Sequence, residues 1–202
     1  PGPLHGPGER VKLQFVTGNE GKFNEVRAAL EARGHCVSWK KFPYPEVQSA
    51  SLDEVVEEGL AWLRTKLGEA EPFMIDDSGL FIPALQDFPG VFSAYTLKTI
   101  GNAGILKLME DQSDRRARFE ARVGLWSRET GPRIFSGRVD GSIGLETRGA
   151  GGFGFDPIFI PDGEVRTFAE IGTREKNSFS HRGRAVAAMM DFLDEKRGNN
   201  GQ

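Results

Sequence analysis

The 202-residue chain is poor in cysteine, in net charge and in long apolar runs. Its single cysteine, Cys36, excludes an internal disulfide framework and a four-thiolate zinc site, and is typical of a reducing, cytoplasmic protein. Lysine and arginine number 26 against 29 acidic residues, and the net charge of -3 favours neither nucleic acid nor a membrane as a partner. No apolar run approaches the roughly 20 residues that a transmembrane helix needs.

The first ten residues are rich in glycine and proline, contain no apolar signal-peptide segment and do not begin with methionine. We interpret residues 1–10 as a disordered leader or an expression remnant. The remaining chain, residues 11–198, is predicted to form a single domain, long enough to bury a core without disulfides or a structural metal.

The first half of the chain alternates predicted strands and helices. Apolar runs and helical spacing place three strands at 11–16, 35–41 and 72–75, with helices at 20–33 and 52–67 between them. In the second half, alternating apolar and charged residues predict an antiparallel hairpin of strands 116–125 and 133–145. A short strand at 156–160 and a helix at 182–196 follow. We therefore expect an α/β fold, with a mixed, elongated β-sheet flanked by helices and two lobes around a central cleft.

The turn between the first strand and the first helix is the first candidate site. It consists of Thr17, Gly18, Asn19, Glu20, Gly21 and Lys22. A helix start presents unpaired N–H groups and positive dipole charge, which suit a phosphate, and Lys22 adds a cation. The spacing is not that of a Walker A loop. The alternative is a helix capped by Asn19 with Lys22 in solvent.

Two adjacent acids follow the third predicted strand, in the sequence Asp76-Asp77-Ser78-Gly79. Open α/β sheets bind ligands beyond the carboxyl ends of their strands. Successive side chains of an extended segment point to opposite sides, so one acid can face a metal while the other supports it from behind. The alternative is a polar turn without a ligand.

A glycine-rich loop over residues 149–154 leads into Phe155-Asp156-Pro157. A strand-like segment and not a helix comes after its glycines, which excludes a dinucleotide-binding fingerprint. Phe153 and Phe155, with Gly154 between them, suit stacking on a flat ring, and Asp156 suits a polar contact to its edge. The alternative is that both aromatic rings fold into the core.

Basic residues gather at the start of the last helix, where they oppose the helix dipole. Lys176, His181 and Arg182 lie in this segment, and an anion or a hydrogen-bond acceptor would stabilise them. The alternative is a helix capped by Ser180 with solvated charges.

The four motifs, in this order, closely resemble the inosine-triphosphate pyrophosphatase family. The resemblance covers residues 12–193 and includes Phe88-Pro89-Gly90 and Phe168-Ala169-Glu170 between the motifs. It implies an enzyme that hydrolyses the nonstandard purine nucleotides ITP, dITP and XTP to the monophosphate and pyrophosphate. It also implies Mg²⁺ as cofactor, a homodimer, and a two-lobed α/β fold with a nucleotide-binding cleft.

The same resemblance assigns roles to particular residues. It implies that residues 17–22 bind the triphosphate, that Glu46 and Asp77 bind the metal, and that Asp77 is the general base. Ser78 is then a substrate contact, and residues 153–156 form the loop beside the base. Lys176, His181 and Arg182 match residues that contact phosphate and the purine.

Three other functions remain as alternatives. A Maf-like nucleotide pyrophosphatase would act on other bases, and a nucleotide-binding module would bind without hydrolysis. A structural oligomer would use the loops as an interface. The pair Glu46 and Asp77 favours an enzyme over a pure binder, because binding alone does not need two acids that face a metal.

Overall fold

The structure, a computed structural model, describes residues 12–45, 47–68 and 71–199, with side chains to Lys196. The predicted leader and Glu46 therefore lie outside the described residues. The described chain forms a mixed sheet of seven strands in the order β2-β1-β3-β5-β6-β7, with β4 paired to β3. This confirms the predicted α/β class with a mixed sheet flanked by helices.

The strands are β1 (Lys12–Val16), β2 (Cys36–Lys40), β3 (Phe73–Ile82), β4 (Phe88–Gly90), β5 (Arg116–Ser127), β6 (Gly131–Ile143) and β7 (Phe159–Pro161). The helices are α1 (Glu20–Glu31), α2 (Leu52–Leu67), α3 (Ser93–Thr99), α4 (Gly101–Leu108), α5 (Thr173–Asn177) and α6 (His181–Asn199). β1 runs parallel to β2 and β3, and the pairs β3–β5, β5–β6 and β6–β7 are antiparallel. No helix within the described ranges is long and apolar enough to cross a membrane.

The predicted end of the third strand is wrong. We expected the strand to stop at Ile75, but β3 continues through both acids to Ile82. The reason is pairing, because Asp76 and Asp77 lie opposite Val123 and Arg122 of β5 in an unbroken antiparallel register. The two acids therefore lie in the middle of the sheet and not in a turn beyond it.

The predicted strand at 156–160 is also partly wrong. Residues Asp156–Ile158 form a 3-10 turn, and the strand begins only at Phe159. Pro157 lies at the start of this turn, where its fixed φ suits a helical turn and its missing N–H costs no hydrogen bond. By contrast, the β5–β6 hairpin forms as predicted.

Helices cover both faces of the sheet because the strands alternate their apolar side chains between them. On one face, Met74 and Val123 pack with α1 and α6. On the other, Phe73 and Ile75 pack with α2. A third cluster, around Phe119, fills the end of the sheet near α4 and β7. Phe119 and Phe155 of this third cluster also line the cavity that contains the predicted site residues.

Candidate active site

One cavity of about 680 Å³ gathers every predicted site residue that the structure describes. These residues are Thr17, Gly18, Asn19, Glu20, Gly21, Lys22, Asp77, Ser78, Phe153, Gly154, Phe155, Asp156, Lys176, His181 and Arg182. The four motifs are up to 165 residues apart in the chain, so only the fold brings them together. Glu46, the predicted second metal ligand, is outside the described residues.

The turn after β1 is held by local hydrogen bonds that shape the start of α1. The Asn19 side chain caps the helix by accepting from the Lys22 N–H at 3.0 Å, and the Asn19 N–H donates to Thr17 Oγ1 at 3.1 Å. The Lys22 ammonium turns inward and lies 2.8 Å from Asp76 Oδ1, with its side chain only 16% exposed. The solvated lysine of the alternative interpretation is therefore wrong.

Asp76 is a fully buried carboxylate between two cations. Arg182 donates from Nε to Oδ2 at 3.0 Å and from Nη2 to Oδ1 at 3.2 Å, and Lys22 occupies Oδ1 as well. Burial would raise the pKa of Asp76, but the charges and hydrogen bonds of Arg182 and Lys22 hold it well below its ordinary value. Asp76 therefore remains charged and fixes the positions of these two basic side chains.

Asp77, the next residue, has a different environment. Because side chains alternate along a strand, it faces away from Arg182 and lies opposite Arg122 on the sheet face that α2 covers. It is half-buried, and it lines both the main cavity and a smaller one of about 340 Å³ that Val47 and Phe92 also line. Both acids line the main cavity, but Asp76 is buried and Asp77 is the more exposed of the two.

The acidic side chains at the cavity suit a magnesium ion that is bound largely through the substrate. No group of three or more histidine, cysteine or acidic side chains that could hold a metal occurs within residues 12–45, 47–68 and 71–199. Mg²⁺ is commonly held by one or two carboxylates together with substrate phosphates and waters. Asp77, one of the residues that line the cavity, has a carboxylate, which is a ligand of the required hard-oxygen type.

Glu25 of α1 is a site residue that the sequence analysis missed. Its side chain is buried, with Oε1 accepting from Lys176 Nζ at 2.7 Å and Oε2 accepting from Arg182 Nη1 at 2.6 Å. Burial would raise the pKa of Glu25, but the charges of Arg182 and Lys176 lower it. Its position three residues after Lys22, on the same side of a helix, is the signal that could have identified it.

Lys176 lies between two acids. Besides Glu25, it donates to Asp156 Oδ2 at 2.6 Å, and that same oxygen accepts from the Phe153 N–H at 2.8 Å. Burial and the charge of Glu25 raise the pKa of Asp156, while Lys176 opposes the shift. Positive and negative side chains therefore alternate within this cluster, because Lys22, Arg182 and Lys176 each lie next to an acid.

The glycine-rich loop brings one aromatic ring to the cavity and buries the other. Phe153 is half-exposed, and its ring lies over Lys176 Nζ and Arg182 Cζ at 5.3 and 5.4 Å. Phe155 is only 3% exposed and belongs to the core cluster around Phe119. The structure thus favours core packing for Phe155, and of the two rings Phe153 is the accessible one.

His181 is buried at the first turn of α6 and stacks on the Phe119 ring with centroids 4.7 Å apart. Burial and the nearby charges of Arg182 and Lys176 lower the pKa of His181 well below its ordinary value, so the imidazole is neutral. Its Nδ1 is buried and has no hydrogen-bond partner among the described residues. Ser180 caps this helix as the alternative interpretation expected, accepting from the Gly183 N–H at 3.1 Å, but the basic side chains of that interpretation are buried and not solvated.

The cavity joins the start of α1, a half-buried carboxylate of β3 and an aromatic ring beside two buried cations, an arrangement typical of an enzyme that hydrolyses nucleotides. A model of the Ham1 family matches residues 13–192, and the chain belongs to that family.

The matches to curated relatives extend over nearly the full length of both proteins. A dITP/XTP pyrophosphatase of Thermococcus kodakarensis is 51% identical over 185 residues, which are 92% of this chain and 98% of that protein. One of Pyrococcus horikoshii is 48% identical over 183 residues, or 91% of this chain and 97% of that protein. These relatives confirm the resemblance to nonstandard-nucleotide pyrophosphatases.

Solved structures give the same fold. A HAM1 protein from Coxiella burnetii is 32% identical with a TM-score of 0.76, over 91% of this chain and 98% of the other. The Ham1 protein of Staphylococcus aureus is 25% identical with a TM-score of 0.77, over 92% and 99% of the two chains.

Proposed function

We propose that the chain hydrolyses ITP, dITP and XTP to the nucleoside monophosphate and pyrophosphate, as a single pyrophosphatase domain. The observation that carries this proposal is one cavity that offers two kinds of recognition. The Lys22 turn suits an anion, and the guanidinium of Arg182 suits a carbonyl oxygen. The two relatives above are both named dITP/XTP pyrophosphatase.

The triphosphate occupies the end of the cavity at the start of α1. A triphosphate carries about four negative charges, and the protein's net charge of -3 gives it no general attraction. The backbone N–H groups of residues 18–21, the helix dipole and Lys22 provide a local positive region. Asp77, together with Glu46, would hold magnesium, and the ion would neutralise phosphate charge and polarise the α-phosphate.

The chemical step uses Asp77 as the general base. Its carboxylate takes a proton from a water as the water oxygen forms a bond to the α-phosphorus. The bond from that phosphorus to the bridging oxygen breaks, and its electron pair leaves with pyrophosphate. Asp76 is not available for this task, because Lys22 and Arg182 occupy both of its oxygens.

The base lies against Phe153, with its six-position edge towards Arg182. Hypoxanthine and xanthine present a carbonyl oxygen there, whereas adenine presents an amino group. An arginine N–H donates to the carbonyl oxygen, but in ATP it would face the adenine amino group, which is also a donor. A buried mismatch of this kind costs on the order of 1–3 kcal/mol of binding free energy. Ser78 and Lys176 border the same region and hold the arginine and the loop in place.

The partner and location assignments are part of the proposal. A homodimer is supported by exposed aromatic side chains on α3 and just before it, where Phe92 is 50% and Tyr95 69% exposed. The near-balanced charge supports action on a small molecule, without a nucleic-acid or membrane partner, in a reducing cytoplasm.

Product analysis tests the function directly. The protein is incubated with Mg²⁺ and ITP, XTP, ATP, GTP, CTP or UTP, and pyrophosphate and orthophosphate are measured separately. We expect fast pyrophosphate release from ITP and XTP, with ATP at least tenfold slower. Orthophosphate would contradict cleavage at the α-phosphate. Release from pyrimidine nucleotides alone would favour the Maf-like alternative, and binding without release would favour the binding module.

A further inference from the structure

We infer that Arg122 of β5 is a positioning residue for metal binding, which ties the start of α2 to the strand that bears Asp77. The inference rests on the proposed function, because it concerns the magnesium ion assigned there to Glu46 and Asp77. It adds a residue that is not among those lining either cavity beside Asp77, so it acts through its neighbours and not on the substrate.

Two segments of the chain meet at the smaller cavity beside Asp77. Residues 47–49 line this cavity from the segment that precedes α2, and Asp77 lines it from β3. Glu46 immediately precedes that segment in the sequence. Residues 47–51 form no helix or strand, so the distance between this segment and β3 depends on what holds the start of α2 in place.

Arg122 connects the first turn of α2 with the sheet. Its Nε donates to both carboxylate oxygens of Asp53, at 2.9 and 3.0 Å, and its Nη2 lies 3.4 Å from Glu120 Oε2. The side chains of Arg122 and Glu120 are mostly buried, at 17% and 16% exposure. Asp77 is the residue directly opposite Arg122 in the antiparallel register, so the two side chains are cross-strand neighbours on the face that α2 covers.

Asp53 extends this connection to the wall of the smaller cavity. It lies in the first turn of α2 beside Glu54, whose Oε2 accepts from Ser49 Oγ at 2.5 Å. Ser49 Oγ in turn accepts from the Ser51 N–H at 2.9 Å. A chain of short contacts therefore runs from β5 through the start of α2 to the segment that lines the cavity.

The charge of Arg122 makes the inference testable by the sign of its effect. A cation opposite a metal-binding carboxylate repels a divalent cation, so an Arg122 that acted only through its charge would strengthen metal binding when removed. An Arg122 that fixes the distance between two ligand-bearing segments must weaken metal binding when removed. Lysine keeps the charge but lacks the planar fork that spans Asp53 and Glu120, so Arg122→Lys should weaken binding with no change of charge.

The experiment compares Arg122→Gln and Arg122→Lys with the native chain. Arg138→Gln is the matched control, because it removes the same charge from the same sheet face on β6, where Arg138 bonds Asp140 and not α2. Electron paramagnetic resonance gives the Kd of Mn²⁺ alone, and thermal unfolding monitors the fold. Pyrophosphate release from ITP gives kcat and the Mg²⁺ concentration for half-maximal rate.

We expect the Kd of Mn²⁺ to rise about tenfold in Arg122→Gln and at least threefold in Arg122→Lys. The Mg²⁺ concentration for half-maximal rate should rise in parallel, with kcat at saturating Mg²⁺ within threefold of the native value. Arg138→Gln should match the native chain within twofold.

Arg122→Lys decides the outcome if Arg122→Gln does not fold. A Kd of Mn²⁺ that falls, or rises less than threefold, in a folded Arg122 variant would overturn the inference, as would an equal rise in Arg138→Gln. Absence of pyrophosphate release from ITP by the native chain would instead overturn the proposed function.

Discussion

Asp76 and Asp77 are consecutive residues of β3, and Lys22 and Arg182 both lie at ion-pair distance from Asp76. Asp77 faces the other side of the strand and lines the cavity. The same alternation that places apolar residues on both faces of the sheet gives two neighbouring carboxylates different tasks. Asp76 holds two cations, and Asp77 is half-buried at the cavity wall.

Substituting the two acids separately should separate stability from activity. Asp77→Asn should lower kcat at least a hundredfold, because it removes the base, with little change in unfolding free energy. Asp76→Asn should cost about 3 kcal/mol of stability, since it leaves two buried cations short of a partner. Turnover assays and urea denaturation of both variants check this. Substantial activity in Asp77→Asn would contradict its assignment as base.

The close packing of α6 on β6 should make Gly137 intolerant of a side chain. A Cβ there would lie 1.9 Å from the His181 carbonyl oxygen and 2.6 Å from the Ala185 nitrogen, both of them backbone atoms. We predict that Gly137→Ala costs about 1–3 kcal/mol, because the helix must move, and that activity falls as His181 and Arg182 shift with it.

Gly172→Ala is the control for this prediction. Gly172 has a φ of -64° and open space around its missing side chain, so alanine fits without strain. Denaturant unfolding of the two variants side by side should show a loss of stability only for Gly137→Ala. Equal stability of the two variants would contradict the tight contact between α6 and β6.

Much of the sheet could be predicted from the sequence. The strand β5 is half-buried, so its apolar and charged residues alternate clearly along the chain. The continuation of β3 could not, since Asp76-Asp77-Ser78 reads as a turn to any rule based on nearby residues. Those polar residues stay in a strand because Lys22 and Arg182, from distant segments, neutralise Asp76. The role of Glu25 was hidden for the same reason, as its partners are more than 150 residues away.

Gly21→Ala should weaken base binding by displacing the Phe153 ring. A Cβ at position 21 would lie 2.4 Å from Phe153 Cδ1, so the ring must swing away from the start of α1. Losing an aromatic contact of about 1 kcal/mol predicts a three- to tenfold rise in KM for ITP, with kcat largely retained. Phe153→Ala should raise KM in the same way. An unchanged KM in both variants would exclude Phe153 as the stacking surface.

Stability should fall as the pH drops below 6.5, partly because His181 is buried and neutral. Its pKa lies well below the ordinary 6.5 in the folded state, so below that pH the unfolded chain binds a proton that the folded chain does not. The contribution of His181 to the free energy of unfolding approaches about 1.4 kcal/mol per pH unit, the value expected for one proton. His181→Gln should reduce the slope of unfolding free energy between pH 6.5 and 5, measured by urea denaturation. Identical slopes in the two proteins would contradict a neutral His181.

The most direct test of the central claim is the position of water attack, measured by hydrolysing ITP in ¹⁸O-labelled water. Attack at the α-phosphorus, with Asp77 as base, predicts that mass spectrometry finds the label in IMP and none in pyrophosphate. Label in pyrophosphate would place the attack at the β-phosphorus and contradict the mechanism derived from this site.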